Sequence, residues 1–201
     1  MKKRTATIKR KTKETDITVK LNVDGSGKSK INTGIGFLDH MLELFAFHGY
    51  FDLDITAKGD LKVDRHHTNE DVGIVLGQAF RKALGDKKGI ARNGSAIWPM
   101  EDVTASVGVD ISGRGHLSWP LTNTGFSPDK KEDYEEEYAK HFFDAFAKHI
   151  GADINIIVSS TNPDLHTTLE PIFKALGKAL DQATQIDPRR KGIPSTKGVI
   201  D

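Results

Sequence analysis

The octapeptide Asp64-Arg65-His66-His67-Thr68-Asn69-Glu70-Asp71 brings two imidazoles and a carboxylate together. Apolar residues at Val72, Leu76, Ala79, Phe80 and Ala83 follow at helical spacing, so the stretch reads as the start of a helix. Residues three and four apart share a helix face, which lets Glu70 share a metal with one of the histidines. The other histidine, turned by about 100° around the axis, points elsewhere. Neutral imidazole and carboxylate together suit Zn, Mn or Fe(II). For any single histidine of this kind a buried structural role is the plainer reading. The chain, however, carries the motif twice.

Asp164, His166, Thr168 and Glu170 lie over Asp64, His66, Thr68 and Glu70, and Leu176-Gly177 and Ala179 continue the match to Leu76-Gly77 and Ala79. Upstream, Asp102 to Asp110 lies over Asp16 to Asp24, and Ser112-Gly113 over Ser26-Gly27. His141 to His149 lies over His40 to His48, and Asp153 to Ile156 over Asp52 to Ile55. The chain has eight histidines, and six of them fall into three matched pairs. Shared core periodicity explains matching Phe and Leu but not matching His. We read an ancient duplication, with a first half at 1–87, a second at 88–187 and a tail at 188–201.

The elements that must position these groups follow from the pattern. Thr5 to Arg10 and Asp16 to Asp24 alternate as strands, the second ending in the turn signal Asp24-Gly25-Ser26-Gly27. A helix opens at Gly34-Ile35-Gly36, carries the stripe Phe37, Leu38, Met41, Leu42, Phe45, and ends near His48-Gly49. Phe51 to Ala57 alternates as a strand, Gly59-Asp60 turns, and the His-His helix runs to about Leu84. The second half repeats this order, with a polar stretch from Trp119-Pro120 to Glu137 expected as a loop feeding a helix. His48 and His149, each near the end of a helix, are expected to complement the helix dipole.

Composition narrows the classes. The 201 residues are enough for one large domain or two small ones. Basic and acidic side chains number 29 and 28, which gives no global reason to expect nucleic acid. The absence of cysteine excludes disulfides, thiolate zinc sites and cysteine nucleophiles, and fits a reducing cytoplasm. No apolar run approaches membrane-span length. The basic residues of the first strand read as its solvated face.

A second set of residues forms a candidate anion site. It comprises Arg92-Asn93-Gly94, Ser112-Gly113-Arg114, Lys174, and Ser195-Thr196-Lys197-Gly198, a cradle of guanidinium, ammonium and hydroxyl donors on small loops. No Gly-x-x-x-x-Gly-Lys loop is present, so a nucleotide triphosphate site is not expected.

Taken in order, Lys13 to Ile17, Gly36 to Leu42, Asp64 to Gly77, Asp110 to Arg114, His141 to Phe143, Glu170 to Ala175 and Pro194 to Gly198 resemble the imidazoleglycerol-phosphate dehydratases of histidine biosynthesis over essentially the whole chain. The resemblance implies an α+β fold of internally duplicated two-layer α/β halves, with helices packed between two mixed sheets. It further implies a cytoplasmic lyase, a hydro-lyase converting imidazoleglycerol phosphate to imidazole-acetol phosphate. The family's form is a homo-oligomer of 24 subunits with two manganese ions at subunit interfaces. By position, His40, His66, His67, Glu70, His141, His166 and Glu170 resemble the metal ligands. Glu14 resembles the acid–base glutamate, counted with Glu70 and Glu170 as catalytic. Arg92, Arg114, Lys174, Ser195 and Lys197 resemble the phosphate grip, with Glu14 also on the substrate. No nucleic acid or membrane partner is implied.

The chain departs from the family pattern at Thr167, where a second histidine is usual, and at Arg65, Glu101-Asp102 and Gly115. One metal site is therefore expected to be weakened by Thr167. An alternative reading is a diverged, non-catalytic relative that keeps the assembly and binds metal and a phosphorylated ligand. A two-metal phosphate hydrolase is disfavoured, because no carboxylate stands out as the bridge between close metals.

Overall fold

The computed structural model describes residues 3–119, 134–160 and 164–200. Most of the polar loop expected between Trp119 and Glu137 lies outside these described residues.

The first half builds a four-stranded sheet in the order β1-β2-β4-β3, from β1 (Thr5–Lys11), β2 (Thr15–Asn22), β3 (Ser29–Asn32) and β4 (Asp52–Gly59). Its helices are α1 (Gly36–His48) and α2 (His66–Leu84). The second half repeats this as β5-β6-β8-β7, from β5 (Asn93–Met100), β6 (Val103–Asp110), β7 (His116–Ser118) and β8 (Asp153–Ser160), with α3 (Glu136–Ile150) and α4 (Leu165–Thr184). In each sheet three strands pair antiparallel and the short fourth strand joins the edge in parallel. The two halves therefore share one α+β arrangement. Among the described residues no helix is long and apolar enough to cross a membrane.

Alternation along β2 turns Ile17, Val19 and Leu21 inward, and along β6 Val103, Ala105, Val107 and Val109. The four helices fill the space between these two apolar faces, around Phe45, Phe51, Phe80, Phe142, Phe146 and Phe173. Helix partners are exchanged between halves: α2 packs on α3, and α1 on α4. Glycine sets how closely they approach. A Cβ on Gly177 of α4 would lie 2.5 Å from the Phe45 carbonyl oxygen of α1, and one on Gly77 of α2 would lie 2.8 Å from that of Phe146 in α3. The repeated Leu-Gly of the sequence is thus a pair of helix contacts.

Three strands went unread in the sequence. β3 and β7 have four and three residues and find their partners far along the chain. β5 holds Asn93 and Gly94, residues expected in an anion-binding loop, and Pro99 near its other end. Proline is tolerated there because β5 lies at the edge of its sheet.

Candidate metal centre

Two clusters, equivalent under the duplication, form where helices of different halves meet. In one, His40 of α1 faces His166 and Glu170 of α4. The two rings stand 5.4 Å apart between centroids, and Glu170 Oε2 lies 3.4 Å from His166 Nε2. One ligand atom from each of the three residues falls within 4.8 Å of the others, the one such group among the described residues. Lys174 Nζ, 2.7 Å from Glu170 Oε1, braces the carboxylate from the next turn. An ion held at about 2.0–2.2 Å by each ligand needs those ligands within roughly 4.4 Å of one another. The cluster is already close to that scale, and its donors suit Mn, Zn or Fe(II).

In the other cluster, His66 and Glu70 of α2 face His141 of α3. His66 Nε2 is 3.2 Å from Glu70 Oε2, and the two Nδ1 atoms of His66 and His141 are 2.8 Å apart. The i and i+4 spacing expected for His66 and Glu70 therefore brings their side chains together.

His67 joins neither cluster. Its Nδ1 meets Asp60 Oδ2 at 3.1 Å, and that hydrogen bond is the main influence pushing its pKa upward. Slight desolvation opposes the shift, and the charges of Glu14, Asp60 and Asp64 add to it. Thr167, at the equivalent position of the second half, is only 7% exposed and turned into its own helix start. Its hydroxyl donates to Asp164 Oδ2 at 2.5 Å, and the same carboxylate accepts from the backbone N–H groups of His166 and Thr167. Burial works against ionisation of Asp164, but these bonds outweigh it and its pKa is lowered. Asp164 is thus the N-cap of α4, a role its residue type favours, and Thr167 in the first turn is one of its hydrogen-bond partners.

Glu14 is exposed in the turn between β1 and β2. The hydroxyl of Thr12 accepts from the N–H groups of Glu14 and Thr15 and closes that turn. The anion set is only partly gathered within one chain. Arg92 holds Asp110 through two bonds of 2.6 and 2.9 Å and donates to the Pro194 carbonyl at 3.0 Å, which ties the Ser195–Lys197 segment to the start of β5. Arg114 is exposed beside Ser112, and Lys174 stands with Glu170 at the metal cluster. Gly115 has a local reason, since a Cβ there would lie 2.2 Å from Lys148 Cα. His48, in the last turn of α1, sets its ring against Trp98 at 4.4 Å. His149, in the last turn of α3, meets the Ala145 carbonyl at 2.8 Å.

Sequence reasoning missed the residues that hold this frame. Tyr134, fully buried, donates to Asn69 Oδ1 at 2.6 Å, and Asn69 donates to the Tyr138 carbonyl. Burial pushes the Tyr134 hydroxyl pKa far above its ordinary value. A buried asparagine inside a histidine motif was the available signal.

A sequence model described as imidazoleglycerol-phosphate dehydratase matches residues 33–180. The chain belongs to this family. Named imidazoleglycerol-phosphate dehydratases from Pelobacter propionicus and Caldanaerobacter subterraneus are 50% and 52% identical to it, over 98% of this chain and 99% and 100% of theirs. The crystal structure of the dehydratase from Staphylococcus aureus matches with a TM-score of 0.79 at 35% identity, covering 91% of this chain and 99% of that one. The Pyrococcus furiosus enzyme, solved in complex with (S)-C348, matches with a TM-score of 0.79 at 38% identity over 96% and 99%. Family membership thus extends over both clusters, the β1–β2 turn and the tail.

Proposed function

We propose that this chain dehydrates imidazoleglycerol phosphate to imidazole-acetol phosphate in cytoplasmic histidine biosynthesis. The observation that carries the reading is the pair of His/His/Glu clusters, one of them drawn up to metal-binding scale, inside a chain of the dehydratase family. His40, His166 and Glu170 would hold one manganese ion, and His66, Glu70 and His141 a second. Ions held there would supply Lewis acidity toward the imidazole of the substrate.

The remaining work falls to the chain's own groups. Glu14, carried on an exposed turn near His67, takes the proton from the carbon beside the imidazole and returns it where needed, as the hydroxyl departs as water. Arg92, Arg114, Lys174, Ser195 and Lys197 grip the phosphate and so align that carbon with the base. His67 is bonded to Asp60 rather than drawn into either cluster of its own chain, which supports a site completed between copies in an oligomer of 24. The two halves, 1–87 and 88–187, supply the clusters, and the tail at 188–201 supplies phosphate donors.

Thr167, consumed by Asp164, favours the second reading of a non-catalytic metal- and phosphate-binding relative. Turnover of imidazoleglycerol phosphate by manganese-loaded protein, with Glu14→Gln as control, separates the two. Turnover lost in the control is the expected result, and no turnover in a metal-loaded, assembled protein overturns the catalytic reading.

A further inference from the structure

One buried carboxylate near the site has no part in the scheme above. Asp71, in the first turns of α2 and directly after Glu70, is 7% exposed. Its Oδ2 accepts from the Thr15 hydroxyl at 2.5 Å and from the Arg10 guanidinium. Arg10 ends the inward row of β1 behind Ala6 and Ile8, and Thr15 begins the inward row of β2 ahead of Ile17. Both are polar at positions where the sheet otherwise presents apolar side chains to the helices. Together the three groups pin the end of the β1–β2 hairpin to the helix that carries His66, His67 and Glu70.

Glu14 sits in that hairpin end, immediately before Thr15. Its turn is short and closed by Thr12, so where the hairpin is tied sets the place of the Glu14 backbone, from which the carboxylate extends. Next along β2, Thr15 pairs with Gly59, and the following residue, Asp60, holds His67. Hairpin, strand end and helix start form one rigid corner.

The other half of the duplication shows what the fold alone requires. There the equivalent hairpin closes through Glu101-Asp102, between β5 and β6, and Pro171 stands where Asp71 does. Proline offers no carboxylate, and a hairpin reaches α4 without such a clamp. Among the described residues the anchor is found in the half that carries Glu14.

We propose that Asp71 is a positioning residue, whose buried carboxylate holds Thr15 and Arg10 so that Glu14 stays fixed beside the metal-ligand helix. The assignment rests on the dehydratase reading and names a further residue for the same reaction. A charge-assisted pair of bonds of this kind is directional, and a misplacement of about 1 Å at a reacting group is enough to cost on the order of 100-fold in rate.

The test compares kcat, KM, melting temperature and metal content for the parent, Asp71→Asn, Thr15→Val, Thr15→Ser, Glu14→Gln and the double variant Glu14→Gln/Asp71→Asn. Asp71→Asn is expected to lower kcat by about 10-fold or more with KM little changed. Thr15→Val, a milder change that keeps the charge pair, should lower kcat in the same sense, and Thr15→Ser should restore it. In the Glu14→Gln background Asp71→Asn should add almost nothing, because the group it positions is gone. An equal further loss in that background, or a fall in melting temperature and metal content that accounts for the lost rate, overturns the assignment. Full turnover by Glu14→Gln overturns it by a different route, since Asp71 would then have nothing to position. A parent without turnover removes the dehydratase reading itself.

Discussion

His66 and His141 reach each other from helices of different halves, with their Nδ1 atoms 2.8 Å apart. At that separation one nitrogen donates and the other accepts, the roles being set by the ring tautomers. Neutral imidazole is the form in which histidine ligates a metal, and the packing of α2 on α3 brings these two rings to one place.

The two clusters should load unequally. The chain supplies His67 at the outward position of the first half but Thr167 at the equivalent position of the second, with its hydroxyl already bound to Asp164. Elemental analysis of manganese after dialysis should find one tightly held ion per chain, with the second lost. Thr167→His should bring the count toward two. Two ions retained by the parent protein would show that Thr167, water or another group serves as well as imidazole.

Arg92, proposed above as a phosphate ligand, is tied to the tail, and only a guanidinium can make its fork to Asp110 and still reach Pro194. Arg92→Lys is expected to raise KM for the phosphorylated substrate several-fold while changing kcat less. The tail beyond Pro194 should also become more readily cut by a protease. A KM equal to that of the parent would detach Arg92 from substrate binding.

Tyr134→Phe removes the donor from Asn69 Oδ1 inside the core. Leaving a buried acceptor unpaired costs about 1–3 kcal/mol, which urea titration should read as a lower midpoint with an unchanged slope. Because Asn69 lies between His66 and Glu70 on α2, metal affinity should fall alongside stability. Loss of stability without any change in metal binding would confine Tyr134 to the core.

Much of this was legible in the residues. The three matched histidine pairs disclosed the duplication, and the spacing of His66 and Glu70 disclosed which groups share a helix face. The apolar stripes of α1 and α2 and the alternation of β2 and β6 gave the elements that carry them. Other features are non-local and leave no trace in a short window. Asp71 meets Thr15 and Arg10 across more than fifty residues of chain, and β7 depends on a parallel partner formed much later. β5 was hidden by its own residues, because Asn93-Gly94 and Pro99 signal loops and an edge strand overrides them. Thr167 is visible in the residues as a departure, whereas its bond to Asp164 depends on how the start of α4 folds.

Each cluster takes one histidine from one repeat and a His/Glu pair from the other, because α1 packs on α4 and α2 on α3. Severing the chain between the repeats would divide both clusters at a single cut, and neither fragment would own a complete His/His/Glu set. The covalent link between the repeats therefore does more than raise stability: it guarantees that the two complementary parts of each site are always made in equal number and at high mutual concentration.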